Sequence, residues 1–103
     1  MAYCQILEHP DLTPEKMEQV MDHVRTTGPV LPDGARLFVA GPGDPGIRVI
    51  TIWDSNEARE TFLSERLSQA YDQAGISLDR AKVTVFEVLK LAAGDLTGAP
   101  QPA

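Results

Sequence analysis

The chain has 103 residues, enough for one domain with a single modest core. Its formal net charge is −6 and its nine Lys and Arg are scattered, which argues against a nucleic-acid partner. The lone cysteine, Cys4, excludes an intramolecular disulfide framework, and no signal-like segment or membrane-length apolar run is present, so the expected location is the cytoplasm.

Taken in order, Tyr3 to Glu8 reads as a short strand ended by His9-Pro10. Thr13 is an N-cap with Pro14 at the first helical position, and Met17, Val20, Met21 and Val24 follow at helical spacing. Gly28-Pro29 ends that helix. A second strand is expected at Ala35 to Ala40. The run from Gly41 to Gly46, dense in Gly and Pro, reads as a hairpin loop into a third strand, Ile47 to Trp53. Ser55 caps a second helix from about Asn56 to Gln73, stopped at Gly75. Ala81 to Leu91, rich in Val, Thr and Phe, reads as the fourth strand. From Gly94 the composition predicts a disordered tail, so residues 1–93 are the expected domain and 94–103 the tail.

The order β-α-β-β-α-β is the split arrangement of a ferredoxin-like α+β domain, a four-stranded antiparallel sheet with both helices on one face. Yet the third strand is apolar on both sides: Ile47, Val49, Thr51 and Trp53 point one way, Ile50 and Ile52 the other. In the fourth, Val83, Val85, Leu89 and Leu91 oppose Phe86 and Val88. Helices cover one face only, so the second calls for a partner, and a homodimer through the sheet is the economical answer.

Trp53-Asp54-Ser55-Asn56-Glu57-Ala58, a strand-ending Trp running into a capped helix, resembles the Trp-x-Ser-x-Glu-Ala signature of antibiotic-biosynthesis-monooxygenase-like domains. The resemblance spans about residues 3–91, including the Gly46–Trp53 strand and Val83–Val88. It implies the dimeric α/β barrel, in which two ferredoxin-like sheets face each other and a ligand pocket lies between each sheet and its helices. It also implies chemistry of cofactor-independent oxygenases, haem-degrading enzymes, cyclases or isomerases, or a small protein without activity. Many such domains carry a His after the cap; the matching position is Phe62, which disfavours a haem-binding or haem-degrading role.

If the pocket is there, Trp53 either stacks on an aromatic ligand, with its N–H as a donor, or is a core residue. Arg66 falls between Phe62 and Ala70 inside the apolar stripe of the second helix, so its guanidinium is expected to pair with Glu87 or with a ligand anion. Arg59 lies on the same side but nearer the exposed start of the helix, and is expected to be solvated. His23 is the only histidine on a core-forming element, either an acid–base group or a partly exposed flank residue. Tyr71 either offers its phenol to a ligand or packs with a wet hydroxyl. Phe38, Phe62, Met17 and Met21 are core, and pocket lining if a cavity exists. Cys4 reads as an inert buried thiol. His9 and His23 have no ligand-spaced partners, so no metal is expected, and the resemblance implies no cofactor. The expectation is a homodimeric enzyme acting on a hydrophobic aromatic or polyketide-like substrate, with Trp53, Phe38, Phe62 and Met21 binding it and His23, Arg66 and Tyr71 catalytic. A non-catalytic ligand-binding or accessory dimer is the alternative.

Overall fold

The computed structural model describes residues 1–29 and 31–92. The strands are β1 (Tyr3–His9), β2 (Ala35–Pro42), β3 (Ile47–Trp53) and β4 (Lys82–Glu87). Helix α1 spans Pro14–Thr27, and a second helical stretch is built from α2 (Asn56–Phe62), a π turn (Leu63–Leu67) and α3 (Ser68–Gln73). All pairings are antiparallel and the sheet order is β2-β3-β1-β4, the ferredoxin-like arrangement. The tail expected from Gly94 onward lies outside the described residues.

Local chemistry explains the boundaries. Thr13 Oγ1 accepts from the Lys16 amide at 3.1 Å and Pro14 occupies the first turn of α1, where no amide is needed. Ser55 Oγ accepts from the Ala58 amide at 3.1 Å to start α2. At the far end Gly75 adopts φ 75° and donates to the Asp72 carbonyl, while the Ile76 amide donates to Tyr71. That paired closure satisfies the last carbonyls of α3. Lys16 Nζ then reaches the Ala74 carbonyl at 2.9 Å, tying α1 to the end of α3.

Period-two alternation sorts the strands into faces. Leu7, Ile47 and Val49 face the helices and join Val20, Val24, Ala70, Tyr71 and Ala74 in the core. His9 is also buried: Nε2 donates to the Ser77 carbonyl at 2.7 Å and Nδ1 accepts from the Asp11 amide at 3.1 Å. His23 is therefore not the only histidine on a core-forming element. The outer face presents Cys4, Ile6, Leu37, Val39, Ile50, Ile52 and Phe86.

The fourth strand departs from expectation. It ends at Glu87, not Leu91, and every residue in it is exposed. Its register pairs Glu87 with Tyr3, the first residue of β1, so beyond Val88, whose amide donates to the Ala2 carbonyl, no ladder partner follows. Val83 and Val85 point to the helix side yet are 41% and 37% exposed, because the helices pack over β1 and β3 and do not reach this edge.

Candidate functional site

A cavity of about 40 Å³ lies between the sheet and the helices. Its walls are apolar: Trp53, Phe38, Met17, Met21, Phe62 and Leu67 among others. Its polar groups come from four elements. Gln5 points inward from β1, Thr51 from β3, Arg59 from the first turns of α2, and Tyr71 from α3. The space suits a few water molecules or the polar head of a ligand, well short of the several hundred Å³ that enclose a whole drug-sized molecule.

Beside it runs an open groove of about 480 Å³, formed by Pro29, Pro32 and Asp33 on one bank and by the Ser55–Arg66 helix face on the other. Phe62 and Pro32 line both spaces, so the Phe62 ring stands as the partition between groove and cavity. It tilts against Trp53 with ring centroids 5.4 Å apart.

Of the expected site residues, Trp53, Phe38, Phe62, Met21 and Tyr71 line the cavity. Trp53 is fully buried and its Nε1–H donates to Thr51 Oγ1 at 2.8 Å, so the indole offers the cavity its face and not the expected free donor. Tyr71 is 2% exposed, and burial pushes its phenol up to about 12, leaving it a protonated donor at neutral pH.

His23 and Arg66 do not line it. His23 sits on the flank of α1, its Nε2 buried without a hydrogen-bond partner among the described residues. Arg66 pairs neither with Glu87 nor into the cavity. Its guanidinium donates to the Val24 carbonyl at 2.9 Å, the Pro29 carbonyl at 3.0 Å and Thr27 Oγ1 at 3.1 Å, closing the C-terminal end of α1. The Phe62 ring lies under the same group, 5.2 Å from its carbon.

The buried arginine is Arg59, expected to be solvated and found 9% exposed. Its Nε donates to Asn56 Oδ1 at 2.9 Å and its Nη1 to Gln5 Oε1 at 2.9 Å, while Nη2 reaches Glu60 Oε1 only at 3.5 Å. The two outcomes have separate causes: Arg59 precedes the π turn and shares the face of Phe62 and Leu63 by ordinary helical spacing, whereas the π turn displaces Arg66. The Ser68 amide bonds the Leu63 carbonyl five residues back, adding one residue to the turn. The inward face therefore runs Arg59, Leu63, Leu67, Tyr71, and Arg66 swings toward α1. A regular 3.6-residue period carried from Phe62 to Ala70 puts Arg66 inside. Gln5 had a legible signal: it shares the inward face of β1 with Leu7 and His9. Among the described residues no group of three His, Cys, Asp or Glu is placed to hold a metal ion.

The chain folds like Rv0793 from Mycobacterium tuberculosis, with a TM-score of 0.59 and 19% identity over 89% of this chain and 98% of that one. Proposed antibiotic biosynthesis monooxygenases from Deinococcus radiodurans and Chloroflexus aurantiacus are similar too. Their TM-scores are 0.56 and 0.55, each at 21% identity, over 92% and 91% of this chain and 99% and 100% of theirs. The fold is theirs. The sequence itself matches no family model and no curated protein. The likeness to the monooxygenase-like domains seen around Trp53–Ala58 thus extends to the whole ferredoxin-like architecture.

Proposed function

We propose that this chain is a cytoplasmic, homodimeric small-molecule enzyme that acts, without a cofactor, on a hydrophobic aromatic or polyketide-like substrate held between sheet and helices. The observation that carries the reading is the cavity itself, in which aromatic and methionine walls surround four polar side chains, Gln5, Thr51, Arg59 and Tyr71. The monooxygenase-like proteins of the same fold point the same way. A substrate ring enters by displacing Phe62, which merges the cavity with the adjoining groove into a space of suitable size.

The lining also narrows the chemistry. Arg59 and Tyr71 are its titratable side chains, and neither is a base near neutral pH. Catalysis then rests on orientation and on donors aimed at developing charge, as in oxygenation, cyclisation or isomerisation through an enol. The same shortage favours a second reading, a ligand-binding or accessory protein without turnover.

Oxygen consumption with a panel of hydroquinones and anthrones tests the choice. The enzyme reading expects turnover that falls at least about tenfold in Tyr71→Phe, the range a single oriented donor supplies. Ligands that bind, none of them converted, would leave the accessory protein.

A further inference from the structure

We propose that the inner cavity is an anion subsite, in which Arg59, oriented by Gln5 and Asn56, receives a carboxylate, phenolate or enolate oxygen of a ligand. The inference rests on the small-molecule site argued above and names the chemical class it takes. A guanidinium has five N–H donors. Gln5, Asn56 and Glu60 take three of them, and among the described residues one N–H on each terminal nitrogen has no acceptor.

The charge is as unsatisfied as the donors. Two of the three partners are neutral amides, and the third, Glu60, has a side chain 64% exposed and bonded at 3.5 Å through an oxygen that also accepts from Asn56 Nδ2. An arginine this buried, without a buried carboxylate, lacks the counter-charge that burial ordinarily demands. The amides hold the fork still, so an arriving oxygen finds donors already oriented. The cavity's size fits the same assignment: about 40 Å³ admits the anionic head, while the apolar body of the ligand lies past Phe62.

The test uses 2-naphthoate and its neutral counterpart 2-naphthamide, titrated at pH 7 into the full chain. Binding is read from the indole N–H resonance of Trp53, the single tryptophan and a cavity wall. The wild type is expected to bind 2-naphthoate at least about tenfold tighter than 2-naphthamide, and Arg59→Met to erase that preference. Glu60→Gln, on the surface, is expected to raise the preference several-fold by removing the competing charge, and it keeps the test open if Arg59→Met does not fold. Equal affinities in the wild type, a preference that survives Arg59→Met, or one unmoved by Glu60→Gln would overturn the anion subsite while leaving the ligand site standing. If neither compound shifts the Trp53 resonance, the site reading falls and the subsite with it.

Discussion

Tyr71 is held in a state that its pH dependence exposes. Burial keeps the phenol protonated up to about 12, whereas an unfolded chain releases that proton near the ordinary value of about 10. The folded state binds the proton more tightly, so the stability this contributes is present below about pH 10 and is lost as pH rises through 12. The full effect is on the order of 2–3 kcal/mol. Urea midpoints of wild type and Tyr71→Phe, compared from about pH 8 to 11, should show the wild type losing ground only at the alkaline end. Parallel curves would mean that the hydroxyl is solvated. Arg66 carries a different load. It supplies three donors and a positive charge to the carbonyl end of α1, and its head lies so close to Gly28 that a Cβ there would stand 3.0 Å from Nη2. Arg66→Ala should cost about 1–3 kcal/mol by chemical denaturation. Arg66→Lys should recover only part, because an ammonium cannot span three divergent acceptors.

The elements were largely legible in the sequence because their punctuation is local. Thr13-Pro14, Ser55 and Gly75 each act within one turn, and the structure uses each as a boundary. Two features were not legible. The π turn at Leu63–Leu67 has no residue signature, since it is set by how the two halves of the helix dock on the sheet, and it turned Arg66 away from the cavity toward the end of α1. The exposure of β4 depends on how far the helices reach across the sheet, which strand composition does not report. The hairpin between β2 and β3 shows the opposite case, in which one residue type is dictated by long-range contact. Gly46 has φ 83°, and a Cβ on it would stand 1.9 Å from the His9 carbonyl oxygen at the end of β1. Backbone cannot yield as a flexible side chain does. Gly46→Ala should destabilise by about 3 kcal/mol or more in thermal or urea unfolding. Gly41→Ala, whose Cβ would meet nothing within 4 Å, should fall within about 1 kcal/mol of wild type. Similar midpoints for the two variants would show that the loop shifts freely off β1.

At the scale of the molecule the unresolved matter is the sheet's outer face. Ile6, Leu37, Val39, Ile50 and Phe86 form an apolar surface across all four strands, and Val39 and Phe86 are 47% and 49% exposed. The edge strand adds Val83 and Val85 on its other side. A monomer leaving this much apolar surface in water forgoes roughly 25 cal/mol for each Å² it could bury. A second copy presents the same surface, and an isologous two-fold contact between sheets covers both at once. Such a pairing would also bear on function, because β1 and β3 supply Gln5 and Trp53 to the cavity from one face and would meet the partner with the other. Light scattering at micromolar concentration should therefore give twice the chain mass of 11.2 kDa. Val39→Glu points a charge outward from the edge strand β2 into such a contact and should shift the species to the monomer, since an unpaired carboxylate buried there costs several kcal/mol. Its helix-side core is untouched, so secondary structure should persist while melting becomes independent of protein concentration. A wild type that scatters as a single chain would show that this face is left to solvent or to another partner.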